Sequence, residues 1–261
     1  MVPFPLRARL VTAACCLSSS VFGTTIAGVW TEKQITIAAD SRQMTALGGR
    51  LVPSPNGACK VYEVRHLIFA LAGLAQVDQI SIVDEIRNSI ELKEERTGRK
   101  LPVDSLIVGA IAAVVKVLRA HNATYAPDAT IQLLAAGMID GKLQMYRVEM
   151  SGIVMYGDYS LPGSTRRYGY PESRGHDDTD RNRGIEVIGI DDSVKRFQRV
   201  LPEWSKGDDI SVARRLVSIE ASDTVASQAV GAPFATIVID KKGAHWVDKG
   251  VCTWEPAPIR K

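Results

Sequence analysis

The stretch of sequence that decides the fold runs from residue 24 to residue 42 and reads TTIAGVWTEKQITIAADSR. Its two halves, Thr25–Thr31 and Gln34–Ala39, are rich in β-branched residues and are separated by two charged residues. Such a pair of runs with a short polar connection predicts a β-hairpin. The strands of a hairpin are antiparallel, so the start of the first strand and the end of the second lie side by side. We therefore expect Thr24 and Asp40 to be neighbours.

The elements that follow this hairpin form separate blocks of strands and helices. The predicted order is strands at Lys60–Val64 and Leu67–Ala72, helices at Ala75–Thr97 and 102–121, strands at Thr130–Ile139, Leu143–Met150 and Ile185–Ile190, helices at Ser193–Trp204 and Ile210–Gln228, and strands at Phe234–Asp240 and Ala244–Lys249. Blocks of this kind favour layered sheets with helices packed outside over a doubly wound parallel sheet. The polar stretch 157–184 has no periodicity and is predicted to be a long loop or insertion.

Composition excludes several classes of function. The chain has 261 residues, 46% of them hydrophobic, and a net charge of +3 that is spread along the sequence. Nucleic-acid binding is therefore not expected, and no apolar stretch reaches the roughly 18 residues that span a bilayer. The four histidines lack metal-ligand spacing, so we expect neither a metal nor an organic cofactor.

The first 23 residues resemble a targeting segment. They contain Arg7 and Arg9, then a short apolar run that ends in small residues, and no acidic residue. This order is typical of a secretory signal peptide that is cut between Gly23 and Thr24. Removing 23 residues and their two arginines leaves 238 residues with 30 basic and 29 acidic side chains, a net charge of +1. A secreted or periplasmic protein is expected; the alternatives are a propeptide, which would leave the protein cytoplasmic, or a misassigned start codon.

Two of the four cysteines lie in this leader, which leaves Cys59 and Cys252. The two could pair in an oxidising compartment. As isolated small hydrophobic residues they would need no role.

Cleavage before Thr24 would place a free α-amine and a hydroxyl on the same residue. An α-amine with a pKa near 8 can serve as the base that activates the hydroxyl as a nucleophile. A nearby lysine, Lys60, would lower the pKa of that amine, and the carboxylate of Asp40 would fix the lysine. The backbone N–H of Gly73, at the end of a predicted strand, would stabilise an oxyanion.

At these residues the sequence resembles proteasome β-subunits and their bacterial relatives. The resemblance rests on Thr24-Thr25-Ile26, on Ala38-Ala39-Asp40-Ser41-Arg42, on Lys60-Val61 and on Ala72-Gly73-Leu74-Ala75. It implies an N-terminal nucleophile hydrolase with an α+β fold, a four-layer αββα sandwich formed by a single domain over residues 24–261. By position it makes Thr24 the nucleophile and assigns Lys60, Asp40 and Gly73 the roles described above.

The resemblance also indicates a specificity pocket and a second polar cluster. Leu71 and Ala75 stand where the family has pocket residues, which implies a preference for apolar side chains before the cleaved bond. The second cluster, a serine after a strand glycine and an Asp/Ser pair near a later glycine, is not cleanly reproduced. Either Asp191, Asp223 and Ser227 rebuild it, or it is absent and activity is reduced.

The resemblance thus implies a threonine-type endopeptidase that cleaves peptides or unfolded chains and assembles as a homo-oligomeric ring. Two alternatives stay open. One is an amidase or acylase of the same fold that acts on small acyl-amides. The other is a catalytically silent ring or scaffold protein.

Overall fold

The structure is a computed structural model of the full chain. It describes residues 20–22, 24–47, 50–65, 67–77, 80–99, 101, 105–106, 109–110, 112–114, 131–139, 141–150, 165–168, 183–189, 194, 206–223 and 226–257.

The predicted hairpin forms the centre of a five-stranded antiparallel sheet. Its strands are β2 (Thr25–Thr31) and β3 (Gln34–Asp40), and the sheet order is β12-β2-β3-β13-β14. The outer strands are β12 (Arg183–Gly189), β13 (Phe234–Asp240) and β14 (Gly243–Asp248). In this register Gly189 lies opposite Thr25, and Phe234 lies opposite Asp40. Two distant parts of the chain therefore reach the end of the hairpin where Thr24 lies.

The second sheet is antiparallel and is organised around the long strand β7 (Leu67–Val77). Its order is β1-β7-β9-β10-β11, and β6 and β8 also pair with β7. The remaining strands are β1 (Ser20–Phe22), β6 (Val61–Val64), β8 (Ile80–Ser81), β9 (Ile131–Ile139), β10 (Lys142–Met150) and β11 (Thr165–Tyr168). A separate two-stranded ribbon joins β4 (Met44–Leu47) to β5 (Arg50–Pro53).

Helices cover the outer faces of the two sheets. Helix α1 (Ile82–Thr97) begins after Ser81, whose hydroxyl accepts from the backbone N–H of Asp84, and ends at Gly98 in the left-handed conformation. Positions 105–106, 109–110 and 112–114 are also helical. Helix α2 (Asp209–Ser222) is followed by a 3₁₀ turn, Ala226–Gln228.

Three separate hydrophobic cores show that the protein has four layers. Along β7, the side chains of Leu67, Phe69 and Leu71 pack with α1, whereas those between them pack with the other sheet. Along β3, Ile35 and Ile37 face the inter-sheet core, and Ala38 faces α2. The two-residue period of a strand thus supplies one core on each face of each sheet. The expected αββα sandwich is confirmed.

Three local predictions are wrong. The helix predicted from Ala75 begins at Ile82, because β7 continues to Val77 and Ser81 caps the helix. The stretch 48–57, whose glycine and proline content predicts a loop, contains β5, which pairs with β4. The stretch 157–184 is not wholly a loop, because β11 pairs with β10 and β12 begins at Arg183. In each case a non-local strand partner or a cap outweighs the local pattern.

Other predictions lie outside the described residues. The helix at Ser193–Trp204 does so except for Val194, as does most of the helix at 102–121. The two cysteines whose pairing the sequence left open, Cys59 and Cys252, form a disulfide.

Candidate active site

Thr24 lies immediately before β2 and is completely buried in the uncut chain. Its hydroxyl oxygen Oγ1 has no hydrogen-bond partner among the described residues. A buried hydroxyl without a partner is uncommon, and the Thr36 hydroxyl shares this property.

Asp40, at the end of β3, is the hub of the site and is 1% exposed. Its Oδ1 accepts from the Lys60 ammonium at 2.8 Å and from the backbone N–H of Thr25 at 3.0 Å. Its Oδ2 accepts from the backbone N–H groups of Arg42 at 3.0 Å and Gly231 at 3.2 Å. Four donors from four parts of the chain hold this carboxylate in one orientation.

Lys60 precedes β6, and its side chain is fully buried in an ion pair with Asp40. Its carbonyl accepts from the backbone N–H of Leu71 at 3.0 Å, which fixes the backbone beside β7. Because Lys60 Nζ and Thr25 N–H share one oxygen of Asp40, the ammonium lies next to the peptide bond that joins Thr24 to Thr25.

Burial shifts the pKa values of both charged partners. It lowers the pKa of Lys60 to about 8, against the opposing effect of Asp40 and with a further lowering by the Arg42 guanidinium. Burial raises the pKa of Asp40 above its ordinary value, while Lys60 and the N–H groups of Thr25 and Gly231 oppose that rise. For both groups, burial disfavours the charged form and the ion pair between them favours it.

Gly73 lies in β7 with a φ of 107°, a conformation that L-residues rarely adopt. Strand β1 runs antiparallel to this part of β7, and Phe22 lies opposite Gly73. Residues 20–22, just ahead of Thr24, therefore pair with β7 at the residue predicted to bind the oxyanion.

The predicted pocket residues differ in their surroundings. Leu71 is 1% exposed and belongs to the core beneath α1, so its side chain offers almost no open surface in the uncut chain. Position 75 lies in β7. The side chain of Ala75 lies outside the described part of the structure.

The structure does not bring the second predicted cluster to Thr24 in the way that it brings Asp40 and Lys60. Asp223 Oδ1 accepts from the backbone N–H of Ala226 and so caps the 3₁₀ turn. The carbonyl of Ser227 accepts from the Arg42 guanidinium. The residue just before Gly231 is the fully buried Val230. Asp191 lies outside the described residues.

Two glycines to which the sequence pattern assigned no role lie against the site. A Cβ atom at Gly189 would stand 1.8 Å from the Thr24 carbonyl oxygen, and one at Gly231 would stand 2.6 Å from the Arg42 guanidinium. The backbone N–H of Gly189 donates to the Gln132 side chain at 2.8 Å. Gly189 is the last residue of β12, and Gly231 lies three residues before β13. A glycine at or near a strand end is a weak signal in the sequence.

No cluster of three or more potential metal ligands occurs in the part of the chain that the structure describes. Among the same residues, no helix is long and apolar enough to cross a membrane.

Comparison with known proteins places this site in a family. A family model described as "Proteasome subunit" matches residues 21–189. Proteasome subunit beta 1 of Haloterrigena turkmenica is 28% identical over 179 residues, which is 67% of this chain and 68% of that protein. Proteasome subunit beta 2 of the same organism is 29% identical over 149 residues, 57% of each chain.

The proteasome subunit beta of Natronomonas pharaonis is 29% identical over 179 residues, which is 67% of this chain and 70% of the relative. The chain thus spans between 57% and 70% of the length of these relatives. The family match covers more than half of the chain and begins three residues before Thr24. This chain therefore belongs to the proteasome subunit family, as a proteasome β-subunit-like protein.

Proposed function

We propose that this protein is a threonine-type endopeptidase whose nucleophile is the Thr24 hydroxyl, released by removal of residues 1–23. The observation that carries the proposal is the shared oxygen of Asp40, which joins the buried Lys60 ammonium to the backbone beside Thr24. A positive charge held there disfavours protonation of a new α-amine. The amine would then be neutral and able to accept the hydroxyl proton.

The reaction proceeds in two balanced halves. The Thr24 oxygen adds to the scissile carbonyl while its proton passes to the α-amine, and the amine then protonates the departing peptide amine. This leaves an ester between Thr24 and the acyl part of the substrate. Water, deprotonated by the same amine, adds to the ester, and the proton returns to the threonine oxygen as the acid product leaves.

Strand β1 supports the proposed substrate position. Because Ser20–Phe22 pairs antiparallel with β7 next to Gly73, an extended peptide can pair with β7 there once the leader is gone. The N–H of Gly73 would donate to the oxyanion. We expect apolar side chains before the cleaved bond, with Leu71 as the floor of the pocket and Ala75 beside it. Fastest turnover with an acidic or basic residue at that position would refute this preference.

We further propose that residues 24–261 form one domain and that 1–23 are a signal peptide, which places the protein outside the cytoplasm. The Cys59–Cys252 disulfide supports an oxidising compartment. If 1–23 are a propeptide, the mature protein stays in the cytoplasm. Mass spectrometry of the protein from separated cell fractions tests the cut and the compartment together. The mature chain should begin at Thr24, and the fraction that contains it separates a signal peptide from a propeptide.

A homo-oligomeric ring acting on peptides or unfolded chains follows from the family resemblance. Native mass spectrometry of the mature protein tests the ring. A monomer that hydrolyses peptides would remove the ring from the proposal and leave the chemistry in place.

The deciding experiment compares substitutions at two buried threonines, Thr24 and Thr36. Thr24→Ala should lower peptide hydrolysis by more than about 1,000-fold, and Thr24→Ser should retain part of it. The matched control is Thr36→Ala, because Thr36 in β3 is equally buried and its hydroxyl also has no partner among the described residues. Equal hydrolysis by the Thr24→Ala variant and the parent would end the threonine mechanism.

One observation favours a second candidate, a catalytically silent ring or scaffold protein. Asp223 is used as a cap, and Val230 stands before Gly231, so the second polar cluster is not evident among the described residues. A panel of peptides and small acyl-amides separates the possibilities. Turnover of acyl-amides alone indicates an amidase, and turnover of neither class by a chain that begins at Thr24 indicates the silent form.

A further inference from the structure

The chain after β14 forms a compact segment, residues 249–257, that we call the C-terminal strap. The backbone N–H of Cys252 donates to the carbonyl of Lys249 at 2.8 Å, and the side chains of Lys249 and Glu255 form an ion pair. The strap also leans on β14, because the Trp246 indole donates to the carbonyl of Trp254 at 2.9 Å.

The strap is joined to the residues on both sides of Lys60. On one side, Cys252 is bonded to Cys59 through the disulfide. On the other side, the Trp254 indole N–H donates to the carbonyl of Val61 at 2.8 Å. The central lysine of the site is thus flanked by one covalent and one hydrogen-bonded tether from a single segment.

Further contacts keep these tethers in register with β6. The backbone N–H of Ala257 donates to the Glu63 carboxylate at 2.8 Å, two residues beyond Val61. The rings of Trp246 and Trp254 meet edge to face with centroids 4.8 Å apart. The strap therefore runs along β6 and contacts it at more than one residue.

Lys60 is sensitive to small movements of this backbone. Its ammonium is fully buried and must meet Asp40 Oδ1 at 2.8 Å beside the Thr24–Thr25 peptide. Asp40 itself is held by three backbone N–H groups and cannot follow a displaced lysine. A displacement of about 1 Å at such a site can cost about a hundredfold in rate.

We propose that the C-terminal strap positions Lys60, and that the Cys59–Cys252 disulfide makes this positioning dependent on redox state. The role in catalysis rests on the proposed function; the positioning of the lysine does not. Reduction adds two electrons and two protons to the disulfide and yields two thiols. A dithiol supplies both and becomes a cyclic disulfide. Once reduced, the strap loses its covalent tether beside Lys60 and keeps the hydrogen bonds of Trp254 and Ala257, and the backbone at Lys60 loosens.

The test has two readouts on the mature protein, parent and Cys59→Ser/Cys252→Ser. The first is the titration of Lys60, followed by NMR with 13C-labelled lysine and assigned with Lys60→Arg. The groups that act on Lys60 are Asp40, as its ion-pair partner, and Arg42. We expect the double variant to titrate at higher pH than the parent, because water reaches the loosened ammonium.

The second readout is peptide hydrolysis across pH. In the double variant we expect kcat to fall by about tenfold with KM little changed, and the acid limb to move to higher pH. Adding a dithiol should reproduce this change in the parent and have no effect on the double variant. That insensitivity also controls for any thiol outside the strap.

Trp254→Phe tests the second tether, and Trp30→Phe is its matched control. The Trp30 indole also donates to a backbone carbonyl, that of Leu143 at 2.9 Å, but Trp30 pairs with Ile35 at the end of the hairpin opposite Thr24. Both variants should lower Tm, and only Trp254→Phe should move the Lys60 titration and kcat. If Trp254→Phe behaves like Trp30→Phe, the strap is only structural and the proposal is wrong.

Failure of this inference is separable from failure of the proposed function. Identical Lys60 titrations in parent and double variant overturn positioning by the strap, whether or not the enzyme is active. An inactive parent whose Lys60 titration still differs from that of the double variant removes the peptidase and supports the strap.

Discussion

Asp40 and Asp223 each end a regular element, yet the structure uses their carboxylates differently. Asp40 is 1% exposed and accepts from Lys60 and from three backbone N–H groups, including that of Thr25. Asp223 ends α2, and its Oδ1 caps the following 3₁₀ turn. The hydrogen-bond donors around a carboxylate thus decide whether it belongs to the site. If Asp40 and its partners, here called the Asp40 side, carry the proposed chemistry alone, substitutions there and at Asp223 should have different effects.

Between the two carboxylates, the larger effect is expected on the Asp40 side, from breaking the Lys60–Asp40 pair. Lys60→Met should lower peptide hydrolysis by about 100-fold or more and the free energy of unfolding by about 3–5 kcal/mol, because it leaves a buried carboxylate unpaired. Denaturant unfolding and steady-state kinetics measure the two effects. The double variant Lys60→Met/Asp40→Asn should recover part of the stability and none of the activity, because it removes the unpaired charge while the amide oxygen can still accept from backbone N–H groups. Recovery of both would show that the pair serves only the fold.

A smaller but still large effect is expected at Gly189. Gly189→Ala should lower kcat by about 10- to 100-fold, because the new Cβ would displace the Thr24 carbonyl. The matched control is Gly98→Ala, which has a comparable positive φ and nothing within 4 Å of the new Cβ. It should cost about 1–3 kcal/mol of stability and no activity. Equal kinetic losses in the two variants would reduce the effect to backbone strain.

The pH dependence should reveal the charge state of Lys60. Its pKa is lowered from 10.5 to about 8, so the ammonium is lost from about pH 8 upward, well below the ordinary range of lysine. We expect kcat/KM to fall above pH 8, while the acid limb reports protonation of the Thr24 amine. Rate profiles on a neutral peptide measure both limbs. A plateau that extends to pH 10 would mean that the charge on Lys60 does not assist the reaction.

The smallest effect is expected on the other side of the comparison. Asp223→Ala should lower the free energy of unfolding by about 1 kcal/mol through loss of the cap and leave kcat within about twofold of the parent. Thermal unfolding and kinetics measure the two quantities. A loss of activity comparable to that of Lys60→Met would mean that Asp223 acts in the site, and the comparison would fail.

The proximity of Thr24 to Asp40 could be predicted from the sequence because the two residues lie at the same end of one hairpin. The antiparallel hairpin places Thr24 beside Asp40 over a short stretch of chain, and Lys60 directly precedes β6. These features depend on periods and turns that a local pattern contains.

The rest of the site depends on pairings between distant residues, which no local pattern reveals. Gly231 donates to Asp40 from 191 residues away, and Gly189 approaches Thr24 only because β12 pairs with β2. Asp223 is of the residue type expected for the second cluster, but its carboxylate caps the 3₁₀ turn. An Asp side chain at a helix end readily accepts hydrogen bonds from nearby backbone N–H groups. The long reach of β7 was also missed, since its continuation to Val77 requires pairing with β1 and β8.

The distant attachments of the site have a consequence for protein synthesis. The ribosome makes Asp40 and Lys60 early, but the Gly231 N–H and the Cys252 thiol leave it 191 and 193 residues after their partners. A nascent chain therefore carries Thr24 and Lys60 before the partners of Asp40 and Cys59 have been synthesised. The site is assembled only after Cys252 has been made, so under the proposed function an early nascent chain cannot hydrolyse peptides.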